Sequence, residues 1–319
     1  MKIYVAGHCG LVGSATVRAI EEDGRHTWIG QTRSKLDLMD RKAVFKYLAL
    51  EKPQAIVVAA AKVGGIHAND THPVEFLTEN LQIQTNLMDG AHAANIERLL
   101  FLGSSCVYPK MAQQPIKEEF LLTGELEKTN EAYALAKISG LKLVQAYRQQ
   151  YGHKWISAMP TNIYGPGDNF DLENSHVLPA MIRKFNEAKA KRSPFVELWG
   201  TGSPRREFLH SEDLGRACLF LLENYNDQVA INVGVGEDIS IRDLAELIQR
   251  IVGFEGEIVW NSTKPDGTPR KLLDVSRIKK LGWKPQISLD EGLHSTNNWY
   301  LENRPGGAAV DKAPRGITQ

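Results

Sequence analysis

Residues 2–18 read KIYVAGHCGLVGSATVR. The apolar run Ile3, Tyr4 and Val5 has the length and character of a buried strand. Gly7, Gly10 and Gly13 then recur at three-residue intervals before an alternation suited to a helix. Glycine lets the backbone turn sharply and approach a pyrophosphate, and the free N–H groups of a helix start meet its charge. Three glycines alone are a weak signal. Their place between a strand and a helix is what predicts a dinucleotide loop.

Working outward, short β-branched runs alternate with longer helical patterns through the first half of the chain. Strands are expected at 2–7, 26–30, 55–60, 98–104 and 155–160, with helices near 12–23, 40–51, 74–94 and 131–151. That alternation predicts an α/β fold, a Rossmann-type doubly wound parallel sheet covered on both faces. After Pro160 the regularity breaks at Gly165, Pro166, Gly167 and Asp168, and a helix is expected near 176–190. The stretch 207–233 should return to the sheet by a helix and the strand VAINVG, whereas 239–301 should build a smaller lobe. The expected division is therefore discontinuous: 1–162 and 205–234 for the cofactor, 163–204 and 235–303 as a smaller, C-terminal substrate-binding domain. RPGGAAVDKAPRGITQ, residues 304–319, is expected to be a flexible tail.

Bulk properties narrow the function classes. The 319 residues suit two closely packed domains, and 38 basic against 38 acidic residues leave no net charge to attract nucleic acid or an anionic membrane. An anionic ligand must then be held by a local pocket. No signal segment or spanning-length apolar stretch is evident, so a cytoplasmic location is expected. Cys9, Cys106 and Cys218 are odd in number and far apart, and no histidines stand at metal-ligand intervals, so free thiols and no metal are expected.

The second strand ends in Gly30, Gln31, Thr32, Arg33, where a loop selective for NAD usually carries an acid on the ribose hydroxyl. An arginine without that acid suits a ribose phosphate, so NADP(H) is expected. Asp37 and Leu38 follow where such folds meet the adenine. Tyr133 and Lys137 are four apart in EAYALAKISG and share a helix face. An ammonium so placed is expected to favour the tyrosinate and bring the phenol towards neutral pH. Ser104 and Ser105 stand at the carboxyl end of the fourth strand, where active sites of such sheets lie. Ser104, Tyr133 and Lys137 in this order form the constellation of a carbonyl reductase.

With AAAKVGGIHAND, LGSSCVYPK, NEAYALAKISG, MPTNIYGPGDNF, NSHVLPA, RREFLH and KPDGTPRKLLD, the chain resembles the extended short-chain dehydrogenases that act on nucleotide sugars, over residues 1 to about 303. The resemblance implies a GDP-linked 4-keto-6-deoxy sugar, inversion at carbons 3 and 5, then reduction at carbon 4 by NADPH to give GDP-L-fucose. It assigns the inversions to Cys106 and His176. Thiol and imidazole have free pKa values of roughly 8.5 and 6.5, suited to proton exchange near neutrality. Dehydratases of the wider family carry an acid pair where this chain has Ser105 and Cys106, so dehydration is not expected.

The resemblance also implies cofactor contacts from Leu11, Val12, Leu102, Gly103, Ser104, Ser105, Lys137, Pro160, Thr161, Asn162, Ile163 and His176, beside Gly7, Gly10, Gly13, Arg33, Asp37 and Leu38. Lys184, Trp199, Arg206, Asp266 and Lys271 are the expected GDP-sugar contacts. The helices at 74–94 and 131–151 carry apolar residues beyond one core-facing stripe, and with the resemblance this predicts a homodimer paired through them, with Ile138, Leu141 and Val144 as candidate contacts. The family often has an arginine where this loop has Cys9, which leaves NADH open as an alternative. Another GDP-sugar epimerase-reductase and a cofactor-sensing protein without turnover are the rival readings.

Overall fold

The structure is a computed structural model describing residues 1–172, 174–264 and 266–303. The residues of the expected tail lie outside it. The first unit runs β1 (Lys2–Ala6), α1 (Leu11–Asp23), β2 (Thr27–Ile29), α2 (Arg41–Glu51), β3 (Ala55–Val58), α3 (Ile66–Thr71), α4 (Pro73–Ala93), β4 (Arg98–Leu102), α5 (Glu131–Tyr151) and β5 (Ile156–Pro160). Then come β6 (Asn162–Tyr164), α6 (Val177–Lys191), β7 (Phe195–Trp199), β8 (Arg205–Arg206), β9 (Phe208–His210), α7 (Ser211–Asn224) and β10 (Ile231–Val233). The chain closes with β11 (Ile239–Ser240), α8 (Ile241–Val252), β12 (Glu257–Asn261), β13 (Arg270–Lys271), α9 (Ser276–Lys280) and α10 (Leu289–Asn303).

The main sheet has six strands in the order β10-β5-β4-β3-β1-β2, every pairing parallel. A parallel sheet needs helical cover on both faces, and right-handed crossovers supply it when the chain reverses direction across the sheet. Here α1 packs on α7, while α2, α4 and α5 pack together as the other layer. Strands so enclosed carry apolar residues on both faces: Ile3, Val5, Ile56, Val57, Leu99, Leu100 and Phe101 are all fully buried. The chain steps from β1 outward to β2 and returns to β3, so the reversal lies between β1 and β3, where such sheets leave a crevice for ligands.

A second core is built from Leu178, Met181, Ile182 and Phe185 of α6, Val196 and Leu198 of β7, Leu244 and Ile248 of α8, and Leu293 and Tyr300 of α10. β7 alternates exposed and buried residues, as a half-covered strand must, and pairs with β12 in parallel. Buried carboxylates bind the chain across the lobes. Glu207 accepts from the N–H groups of Gly236 at 2.7 Å and Leu273 at 3.0 Å, and Asp213 accepts from those of Gln286 and Ile287, both at 2.9 Å.

Three expectations need correction. The fourth strand stops at Leu102 rather than 104, because the Ser104 hydroxyl accepts from the Cys106 N–H at 3.2 Å and turns the chain into a 3₁₀ turn, Ser105–Val107. The long helix keeps its expected place at Pro73–Ala93, but the short α3 before it was not foreseen. Ile138, Leu141 and Val144 are not dimer contacts: each is buried in the main core beneath α5, so they stabilise the single chain.

Candidate active site

Gly7 has φ +87°, a left-handed conformation that glycine reaches without strain, and a Cβ there would come within 2.8 Å of the Ala60 backbone. A Cβ on Gly13 would come 2.0 Å from the Gly7 carbonyl oxygen. The loop therefore lies flat against the ends of β1 and β3. Gly10 caps α1 with no side chain on the first N–H groups, those of Leu11 and Val12 onward. This cradle fits a pyrophosphate. Arg33 is exposed in the turn after β2, flanked by Thr32 and Ser34 whose hydroxyls lie 3.0 Å apart. None of the ion pairs among the described residues engages it. Asp37 accepts from the Met39 N–H at 3.0 Å, and the Leu38 carbonyl accepts from Asn86 at 3.0 Å, which holds this segment beside α4.

Leu102, Gly103, Ser104 and Ser105 continue from β4, and Pro160, Thr161, Asn162 and Ile163 from β5, so both groups sit at the carboxyl edge of the sheet. Asn162 is turned by donation to the Glu207 carbonyl at 2.7 Å. Lys137 is buried, its ammonium donating to the Leu102 carbonyl at 2.9 Å and lying 4.9 Å from the Phe101 ring centroid and 5.8 Å from that of Tyr133. Burial lowers Lys137 from 10.5 to about 8.

The expectation of a tyrosinate is not met. Burial raises the Tyr133 hydroxyl well above its ordinary value, the nearby Cys106 raises it further, and a hydrogen bond with Ser104 offsets only part of this. The ammonium expected to lower it points instead at a carbonyl. Tyr133 is therefore a phenol in this arrangement, the form that can give a proton to a developing alkoxide.

Cys106 follows on the turn from β4. Its sulfur is 3.6 Å from the Asn130 side-chain nitrogen and 3.6 Å from the Lys271 ammonium. Asn130 precedes α5 in the run containing Tyr133, and its side-chain oxygen is buried without a partner among the described residues. Sequence reasoning missed it; its place directly before EAYALAK was the available signal. His176 caps α6 and keeps an exposed face, yet its imidazole is held below its ordinary value by dehydration first and by the Lys271 charge second.

Arg206 and Lys271 are register partners in the parallel pair β8–β13, so they stand side by side. Burial lowers Arg206, while the neighbouring Cys106 and Asp266 act the other way. Asp266 is exposed and accepts from the Thr201 N–H at 2.9 Å and hydroxyl at 2.7 Å, which fix its carboxylate. Trp199 is 60% exposed, with the Lys184 ammonium 6.0 Å and the Lys264 ammonium 5.1 Å from its ring centroid. An open indole flanked by two cations suits a base with phosphates attached. Lys264, two residues before Asp266, was not singled out from sequence. Cys106, Tyr133, His176, Arg206 and Lys271 are thus gathered, whereas Lys184 and Trp199 form a separate outer patch. Among the described residues no three His, Cys, Asp or Glu side chains cluster to hold a metal.

A family model described as the NAD dependent epimerase/dehydratase family matches residues 3–234. The chain belongs to that family. This epimerase/dehydratase member is 56% identical over 302 residues to GDP-L-fucose synthase 1 of Arabidopsis thaliana, covering 95% of this chain and 94% of that protein. It is 49% identical over 312 residues to the GDP-L-fucose synthase of Escherichia coli (strain K12), covering 95% and 97%. Among solved structures it is similar to a GDP-mannoheptose C4 reductase from Campylobacter jejuni with NADP bound, at TM-score 0.86 and 36% identity, covering 94% and 98%. The likeness spans both lobes, not the nucleotide fold alone.

Proposed function

We propose that this chain is an NADP-dependent oxidoreductase that makes GDP-L-fucose from GDP-4-keto-6-deoxy-D-mannose, inverting carbons 3 and 5 before reducing carbon 4. The observation that carries the reading is the Cys106 sulfur on the same turn as Ser104, beside Tyr133 and under Lys271. A plain reductase needs the serine, tyrosine and lysine but no thiol at the substrate face.

The Gly7–Gly13 loop and the start of α1 would hold the pyrophosphate of NADP(H), and Arg33 its ribose phosphate. When bound, the nicotinamide supplies the hydride for carbon 4. The ketone acidifies carbons 3 and 5; Cys106 and His176 exchange protons there, one as base and the other as acid, through an enediol. Ser104 orients the carbonyl oxygen, and Tyr133 gives it a proton as the alcohol forms. Lys137 holds the end of β4. Arg206, Lys271 and Asp266 bind the diphosphate and sugar, and Lys184 and Trp199 the outer nucleotide. The unit 1–162 with 205–234 holds the cofactor and lends Arg206 and the catalytic side chains to the sugar, and 163–204 with 235–303 holds the rest of the sugar nucleotide.

The protein is further proposed to act in the cytoplasm as a homodimer. No helix among the described residues is long and apolar enough to cross a membrane, and Val74 of α4 and Leu135 of α5 remain exposed on the paired helices. Light scattering at micromolar concentration tests the dimer.

The function is tested by mass spectrometry in deuterated water. With GDP-4-keto-6-deoxy-D-mannose and no NADPH, the enzyme should wash deuterium into the ketone, because enolisation needs no hydride. Cys106→Ala should lose the exchange, and His176→Asn should stall it. Undiminished exchange in both variants would remove the epimerase half of the reading. Product analysis with a panel of GDP-keto sugars, heptoses included, distinguishes this substrate from its relatives'.

A further inference from the structure

Inverting a carbon beside a ketone moves one proton onto a base on one face and takes another from an acid on the opposite face. After one inversion by Cys106 and His176, the sulfur has gained a proton and the imidazole has lost one. A second inversion in the same sense requires the pair to be restored. Two stereocentres are at issue, so this restoration must happen between the two inversions and again before the next turnover.

The groups around Cys106 limit how it can occur. Asn130, 3.6 Å from the sulfur, has an amide that does not titrate. Arg206 keeps its proton under all conditions of interest. The Ser104 hydroxyl is far too weak an acid and accepts from the Cys106 N–H. Tyr133, beside the sulfur, is held as a phenol by burial and gives its proton at carbon 4. Lys271 differs from all of these. Its ammonium is 3.6 Å from the sulfur, and its charge bears directly on His176. The β8–β13 pairing places it there, beside Arg206, rather than free in solvent.

Resting on the epimerase reading above, we propose that Lys271 is the proton carrier that restores Cys106 and His176 between the two inversions. The ammonium gives a proton to the neutral imidazole, breaking one N–H bond on lysine and forming one on histidine. The neutral amine then takes the proton of the thiol, breaking S–H and re-forming the ammonium. The net result is one proton moved from sulfur to imidazole. No electrons are exchanged, and the total charge of the three groups is unchanged. Lys271 thus does more than anchor phosphate, for which a permanent cation would serve equally well.

Lys271→Arg separates the two roles, since guanidinium keeps the charge and cannot release its proton. The assay is the NADPH-free exchange of GDP-4-keto-6-deoxy-D-mannose in deuterated water in a single turnover with enzyme in excess, followed by the build-up of singly and doubly deuterated ketone. The expected result, read as a ratio within the variant so that any weakened phosphate contact divides out, is a second label slowed on the order of 10²-fold more than the first, the usual worth of a proton-transferring group. In Lys271→Ala, added ethylamine should restore the second label, and this variant serves if arginine cannot be accommodated. Equal rates for both labels in Lys271→Arg, or an equal loss of both without rescue by ethylamine in Lys271→Ala, would overturn the proposal and leave an anchor. Absence of any label with the unaltered enzyme would instead overturn the epimerase reading.

Discussion

Lys137 offers a prediction in which stability and chemistry oppose each other. Lys137 is 3% exposed, and burial lowers its ammonium from 10.5 to about 8. That difference corresponds to about 3 kcal/mol by which the folded chain disfavours the charged form, at 1.36 kcal/mol per pKa unit. The sign follows from proton counting. Between pH 8 and 10.5 the unfolded chain binds more protons at this site than the folded one, so the Lys137 contribution to stability rises with pH across that window and is lowest below pH 8. Lys137→Met removes the titration while keeping the volume. It also loses the hydrogen bond to the Leu102 carbonyl, about 1.5–3 kcal/mol for a charged donor. At pH 7 the two effects nearly cancel, and the variant should match or slightly exceed the parent. At pH 10.5 the parent should be ahead by about 2–3 kcal/mol. Tyrosines that titrate in the same range are common to both proteins and drop out of the difference. Urea denaturation of both proteins at pH 7, 9 and 10.5 reads it directly. A difference in unfolding free energy that stays flat over this range would refute the reasoning. Reduction should fall in Lys137→Met at every pH, so the residue is kept for chemistry at no gain in stability.

Arg33→Ala should raise the Michaelis constant for NADPH by roughly one to two orders of magnitude and leave that for NADH nearly unchanged, as loss of a charge-assisted bond of about 1.5–3 kcal/mol implies; steady-state kinetics with both cofactors checks this. Tyr133→Phe should lower reduction by about 10² to 10⁴ while cofactor binding, followed by fluorescence titration, and NADPH-free deuterium exchange persist. Gly13→Ala places a Cβ 2.0 Å from the Gly7 carbonyl oxygen, so the loop must move, and the rise in melting temperature that NADPH gives the parent should vanish.

What the sequence determines by itself is local. The apolar runs that need cover on two faces, the glycines that let β1 turn into α1, and the four-residue spacing of Tyr133 and Lys137 are each legible within about twenty residues, because backbone sterics and helical period act at that range. Cys106 and His176 entered through resemblance, since neither carries a local signal of its own. Tertiary structure decides the rest. The contact between Cys106 and Lys271 spans 165 residues and depends on the pairing of two-residue strands β8 and β13, too short to announce themselves. Asn130, one residue before the expected helix and not singled out from sequence, proves to face a sulfur. Ile138, Leu141 and Val144 looked available for a partner because a helical period shows which residues share a face, not how far around the helix its own sheet and neighbours reach. The protonation of Tyr133 was misread for the same reason: spacing shows that an ammonium is near, whereas burial and the carbonyl to which that ammonium points decide which form of the phenol is cheaper.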